Sequence, residues 1–220
     1  MPRFALISTL VATALLPLPA AAQDPASGPV RQHIAAHQLY DIGLAQDDAL
    51  LILAAIALAH RVELRPASGW EVSGDGLPPP PPDAMAVQPA FPQDPRTSEA
   101  LALVQLMAEE SLALGDIAAD VAAEIQTVTP GQPRLNAANR LLPEKGEDRW
   151  SMVFNGQLPA EIGLISETPL ELRVQDAQGE TLCAISAANA FCGFLPERND
   201  FFTITIINSG PAAAYQIITN

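Results

Sequence analysis

His33 and His37, in the stretch HIAAH, are four residues apart and share one face of any helix that carries them. The third histidine, His60, ends a second apolar run. If the two runs form antiparallel helices, His60 returns to within about one turn of His33, and three converging imidazoles in an exported protein could ligate zinc or copper. HIAAH lacks the glutamate of a zinc protease HExxH motif, so a hydrolytic reading has no general base in place. Histidines scattered over the surface or half-buried are the simpler expectation. A second oxygen-rich candidate set, Glu171, Asp176 and Asp200 with neighbouring Glu167, Glu180 and Asn199, could supply carboxylate ligands to calcium, which gathers about six to eight oxygens. The chain has no D-x-[DN]-x-[DN]-G loop, and solvated strand edges and turns account for these acids equally well. Zinc or copper at the histidines and calcium at the carboxylates are the candidate metals, and no cofactor is expected outright.

Cys183 and Cys192 are the only cysteines. The eight residues between them, AISAANAF, can form a loop that returns the chain on itself, which makes a structural disulfide the economical reading. Two cysteines without nearby histidines are short of zinc ligands, and the spacing is not the C-x-x-C of redox enzymes. Catalytic signatures are absent: no G-x-S-x-G elbow, no G-x-x-x-x-G-K phosphate loop, and no histidine in the strand-rich third to partner Ser151, Ser166, Ser186 or Ser209. The expectation is a protein that is not an enzyme. Trp70, Trp150, Tyr40 and Tyr215 are too dispersed for a binding platform and read as core or anchoring positions.

The elements that must position these residues differ between the two ends of the chain. From Trp150 to Asn220 the apolar residues alternate with period two. Ala160, Ile162 and Leu164 share one side of a strand, and Leu170, Leu172 and Val174 share one side of another. Asp176-Ala177-Gln178-Gly179 has the composition of a hairpin turn leading into ETLCAIS. FFTITIIN and AAYQIIT complete about six short strands, a density that suits a sandwich or jelly roll. These residues resemble the bacterial pre-peptidase C-terminal domain over about Arg149 to Asn220. The resemblance rests on the V-x-D-x-x-G turn at Val174–Gly179, the paired cysteines, and an ending in which N-x-G precedes Y-x-I-x-T-N. Where the family has an Asp-Leu-Asp-Leu strand, this chain has Pro169-Leu170-Glu171-Leu172. The resemblance implies a small jelly-roll β-sandwich without catalytic residues, serving secretion, stability or attachment, and in some members binding calcium.

At the other end, Arg3, an apolar run from Phe4 through Leu18, and Ala20-Ala21-Ala22 read as a secretory signal peptide, 1–22, cleaved near Ala22. No cysteine stands at the cleavage site, so lipid anchoring by the usual bacterial route is not expected. With the disulfide, this points to the periplasm or beyond. No later apolar run reaches the length of a transmembrane span. The formal net charge of −14 would repel the phosphates of nucleic acid, so none is expected as a partner, and leaves an unknown protein or surface partner.

Pro29 suits the first position of a helix to about Ile42. The residues Gly43–Gln46 would turn the chain, and Asp47-Asp48 would cap a second helix, ALLILAAIALAHRVEL, apolar enough to be buried on most sides. Pro66 to Pro95 holds nine prolines and reads as an extended linker within a helical module spanning 23–128. Thr97 and Ser98 open a further helical region to about Val128, divided at Gly115-Asp116. Leu44-Ala45-x-x-Asp48 and Leu112-Ala113-x-x-Asp116 hint at two copies of one helical unit. A second linker, 129–148, would lead into the sandwich at 149–220. The expected class is α+β: an N-terminal α-helical hairpin module followed by a C-terminal antiparallel β-sandwich, jelly-roll-like. The expected function is an exported, non-enzymatic binding or accessory protein of the bacterial envelope. The alternatives are a periplasmic metal-binding protein using His33, His37 and His60, and a carbohydrate- or peptide-binding sandwich module.

Overall fold

The computed structural model describes residues 28–78, 93–108, 111–127 and 131–220. The expected signal peptide and most of the proline run lie outside the described residues. Four helices belong to the N-terminal half and a curled, mostly antiparallel sheet dominates the C-terminal half, as the α+β expectation has it.

Helix α1, Pro29–Gln46, begins with proline at its first turn, where the missing N–H leaves no helical bond unmade. Its second peptide N–H, that of Val30, is capped from across the molecule: Glu161 Oε2 accepts it at 3.0 Å. The helix runs through the four residues expected to form a turn, and the reversal falls instead on Asp47 alone, at φ 50°. A Cβ on Gly43 would lie 2.7 Å from Ile52 Cγ1, so the close crossing of α1 over helix α2 (Ala49–Ala59) depends on glycine there. Asp48 caps α2 by accepting from the N–H groups of Leu50 and Leu51. The buried side chains of α2, among them Ile52, Leu53 and Ile56, form one cluster with Tyr40, Val104 and Ala118.

Helices α3 (Ser98–Met107) and α4 (Leu112–Ile125) complete this layer. Thr97 caps α3, as its sequence position suggests. The division between α3 and α4 does not fall at Gly115-Asp116. Ser111 caps α4, and Gly115 lies inside it. The echo between Asp48 and Asp116 therefore joins a helix cap to a helix interior, and the two segments are not structural copies.

The described residues hold eight strands: β1 (Glu63–Pro66), β2 (Glu71–Gly74), β3 (Arg134–Leu142), β4 (Glu147–Phe154), β5 (Ala160–Gln175), β6 (Thr181–Phe194), β7 (Asp200–Ile207) and β8 (Ala213–Thr219). Their order is β1-β3-β8-β5-β7-β4-β2, with β6 also on β5. Among the described residues only β1 with β3 is parallel. Both expected linkers contribute strands. The 66–95 stretch supplies β2, paired with β4, and the 129–148 stretch supplies β3 and the start of β4. The helical and sheet parts are thus interleaved along the chain rather than placed end to end, because β1 and β2 follow α2 directly.

The two strands expected at PAEIGLIS and PLELRVQ are one 16-residue strand, β5. Its register with β6 shifts between Ile165 and Leu170, where Pro169 has no N–H to give a ladder. Before the shift β5 pairs with β8, and after it with β7, so the sheet curls into two wings about this point. Ser166 Oγ donates to the Thr168 carbonyl at 2.6 Å and lies 3.2 Å from that of Ala188, bracing the bend. The residues between the cysteines are not a loop. Cys183 lies opposite Val174 and Cys192 opposite Ile162, both within β6, and the bend brings their Cα atoms to 6.1 Å, where the disulfide joins them. It ties one half of the bent β5–β6 hairpin to the other.

The wings share one interior, which includes Trp150, Leu172, Ile204 and Ile217. The outer face of the first half of β5 is covered as well: Val30 and Ile34 of α1 pack on Ile165 of β5 and Ile218 of β8. Residues Ala160 to Ser166 are therefore buried on both faces, where alternation alone would leave one face wet.

Candidate functional site

His33 and His37 lie on the buried face of α1, with ring centroids 4.9 Å apart. The helical spacing expected from HIAAH holds. Neither nitrogen of His33 has a hydrogen-bond partner, and neither does Nε2 of His37. Burial lowers the pKa of His33 to about 3, aided by the charges of His37 and Arg96. Burial lowers that of His37 to about 4, against the opposing pull of Asp94. Both rings are neutral at ordinary pH. His60 caps the C-terminus of α2 and has its pKa lowered by burial and by the charge of Arg96. It lines a separate cleft of about 470 Å³ with Arg61, Arg96 and Glu124. Among the described residues no three His, Cys, Asp or Glu side chains are gathered to hold a metal ion.

The acidic candidates are also parted. Asp176 and Asp200 line one cleft of about 570 Å³ with Glu180 and Glu197, while Glu171 is outside it, beside Arg173 in an ion pair at 2.5 Å. Asp176 already accepts the N–H groups of Gln178 and Glu180 in its own turn, and Asp200 pairs with Arg198. The Asp176 carboxylate thus serves the turn expected at Asp176–Gly179.

A third cleft, of about 440 Å³, opens between α1 and the bend of β5 and β6. Helix α1 contributes His37 and Asp41, and the bend contributes Ser166, Glu167 and Asn189. Asn189 Nδ2 donates to Asp41 Oδ2 at 3.1 Å, linking helix to sheet, and leaves Asn189 Oδ1 buried without a partner. Burial raises the pKa of Asp41, partly offset by this bond. Ser166, which no sequence-local histidine could partner, does share this cleft with His37, but its hydroxyl is directed to backbone carbonyls. Nothing here is arranged as nucleophile and base. Sequence reasoning missed Asp41 and Asn189 as site residues. The helical position of Asp41, four after His37, was the one available signal.

A further polar group lies inside the sheet. Asp148, fully buried, accepts from the Gly76 N–H at 2.8 Å, from Arg140 Nε at 2.8 Å and from the Tyr215 hydroxyl at 2.6 Å. Tyr215 in turn accepts from Trp150 Nε1 at 3.0 Å, and Arg140 also donates to the Gly76 carbonyl. A Cβ on Gly76 would fall 2.1 Å from Asp148 Oδ2, so only glycine lets the chain pass here. Burial and Asp148 both raise the pKa of Tyr215. Trp150 and Tyr215 are core residues, as expected, and Trp70 stacks edge-on against Trp150 at 5.8 Å. No protein-family model matches the chain, and no curated protein matches it in sequence.

Proposed function

We propose that the chain is an exported, non-enzymatic binding or accessory protein of the bacterial envelope, whose helical layer engages a protein partner. The curled sheet, with its resemblance to the pre-peptidase C-terminal domain and its jelly-roll-like β-sandwich, would serve secretion, stability or attachment. The disulfide fits an oxidising compartment, and no described helix is long and apolar enough to cross a membrane.

The observation that carries the partner reading is the incomplete burial of α3 and α4. Ala118 is the only fully buried residue of α4. Leu114, Val121 and Ile125 pack partly against α2, yet Leu112 is 92% exposed, Ile117 45% and Leu106 of α3 63%. Large apolar side chains left in water forgo about 1.5–3 kcal/mol each of burial, and exposed apolar surface of this kind marks interaction faces. The test is capture from an envelope extract with the mature protein as bait. Replacing Leu106, Leu112 and Ile117 together by serine should abolish capture while leaving thermal unfolding intact. Leu195→Ser with Phe201→Ser, on the exposed sheet surface, should not. Equal capture by the helix variant would sink the reading.

A further inference from the structure

Among the described residues β6 is the one long edge of the sheet. It pairs with β5 alone over 14 residues, while β1 and β2, at the other edges, have four residues each and carry Glu63, Arg65, Pro66 and Glu71. Shortness, charge and proline keep a sheet edge from pairing with another chain. β6, TLCAISAANAFCGF, has neither a proline nor a charged residue. Residues 183–187 lie between its two register shifts and pair without a break with residues 170–174. In such an antiparallel ladder alternate residues turn N–H and C=O away from the neighbouring strand, and along this stretch no described strand meets them. The side chains agree. Cys183, Ile185 and Ala187 pack against the shared interior but are only half-buried, whereas Val174, Leu172 and Leu170 opposite them are at most 1% exposed. The core is open along this edge, and one further strand would close it. Past the bend, Asn189 and Phe191 are met by Asp41 and Arg31 of α1.

The ends of the open edge run into acidic clefts. Leu182 lines the one that holds Asp176, Glu180 and Glu197, where Arg198 is already paired with Asp200. Ala188 lines the one that holds Asp41 and Glu167, which has no Lys or Arg among its described residues. A second copy of this chain, paired edge to edge, would set these acids against their own kind, so the edge fits a partner of opposite sign. We propose that the edge at residues 182–188 takes up an extended segment of another protein as an added strand. Alternate side chains of that segment are apolar and cover Ile185 and Ala187, and a Lys or Arg at each end lies over one of the two clefts. Main-chain hydrogen bonds supply the attraction and the flanking charges the selection. The edge is about 20 Å long in extended form, which suits a segment of about nine residues. It is a different surface from that of α3 and α4, and the two proposals fail separately.

The probe is a nine-residue peptide of alternating threonine and valine with a lysine at each end, titrated calorimetrically into the purified mature protein at physiological salt, where non-specific attraction to the acidic surface is screened. Saturable one-to-one binding is expected. At saturation, hydrogen exchange followed by nuclear magnetic resonance should slow by roughly tenfold or more at alternate amides of residues 182–188, the mark of a new ladder. Two further peptides, N-methylated at every second residue in the two possible phases, should part company. One phase places its methyl groups in the ladder and should bind roughly tenfold or more weakly; the other turns them to solvent and should bind like the parent. Glutamates in place of the terminal lysines should weaken binding by roughly fivefold or more, and Glu180→Lys in the protein should weaken the parent peptide. Glu144→Lys, and the joint replacement of Leu106, Leu112 and Ile117 by serine, should leave it unchanged. The proposal is overturned by unslowed exchange at saturation, by equal binding of the two methylated peptides or of the glutamate-ended one, or by no saturable binding. A dimer of this chain in sedimentation that protects the same amides would overturn it in favour of a second copy.

Discussion

The molecule buries two polar groups of similar size and treats them in opposite ways. Inside the sheet, Asp148, Arg140, Tyr215 and Trp150 satisfy one another and the Gly76 backbone. In the helical layer, His33 and His37 touch edge to face, and three of their ring nitrogens have no partner. The first group locks the structure: it joins β3, β4, β8 and the chain just after β2, so that the start of the proline-rich stretch is held to the sheet. The second repays nothing within the chain and is tolerated because both rings stay neutral. The polar groups are saturated inside the sheet and left unsaturated in the helical layer.

The largest break in this contrast is Asp148→Ala. Removing the carboxylate strands the Arg140 guanidinium, which is only 14% exposed, together with the Gly76 N–H. Loss of one partner from a buried ion pair costs about 3–5 kcal/mol. Denaturant unfolding should show a drop of that order, and a loss under about 1 kcal/mol would mean that Arg140 re-solvates and that the network is no lock.

The histidine pair should make stability depend on pH. Both rings have pKa values below the ordinary 6.5, about 3 for His33 and about 4 for His37. As pH falls below about 6.5 the unfolded chain takes up protons that the folded rings refuse. The stability held above that pH is therefore lost progressively down to about pH 4, where the folded His37 begins to titrate. Between pH 7 and 5 the pair should remove on the order of 4 kcal/mol. His33→Leu should roughly halve that loss. At pH 7 it should change stability little, because an apolar side chain replaces a polar one that had no partner. A steep loss at pH 7 would show that the ring has a partner in solution.

The contrast also separates what the sequence discloses from what it hides. The features legible in the chain are local. Pro29 opening α1, Asp48 capping α2 and Thr97 capping α3 each act within a few residues, and the period-two runs at Ile162, Leu172 and Ile204 mark strands wherever they pair. The cysteine pair was legible by count, but not the bend that lets two residues of one strand meet. What was hidden is non-local. Glu161 caps a helix 131 residues away, Asp41 meets Asn189 across 148, and Gly76 meets Asp148 across 72. β1 and β2 are four residues each, exposed or half-exposed, and become strands only because β3 and β4 pass beside them. The expected 66–95 linker, which contains β2, reads as linker for the same reason: its own residues carry too little apolar periodicity to signal a sheet.

Tyr215→Phe is the gentlest probe of the lock and the most informative about how it is shared. The substitution keeps the ring in the core and removes the one oxygen that both donates to Asp148 and accepts from Trp150. Asp148 retains Arg140 and Gly76, so the ion pair survives; the Trp150 N–H alone is orphaned. One unpaired buried donor costs about 1–2 kcal/mol. If the measured loss approaches that of Asp148→Ala, the hydroxyl is not an accessory to the ion pair but its condition, polarising Asp148 so that Arg140 can be held out of water. A double-mutant cycle between Tyr215→Phe and Asp148→Ala measures that coupling directly, and additivity would place the two residues in independent contacts despite their 2.6 Å bond.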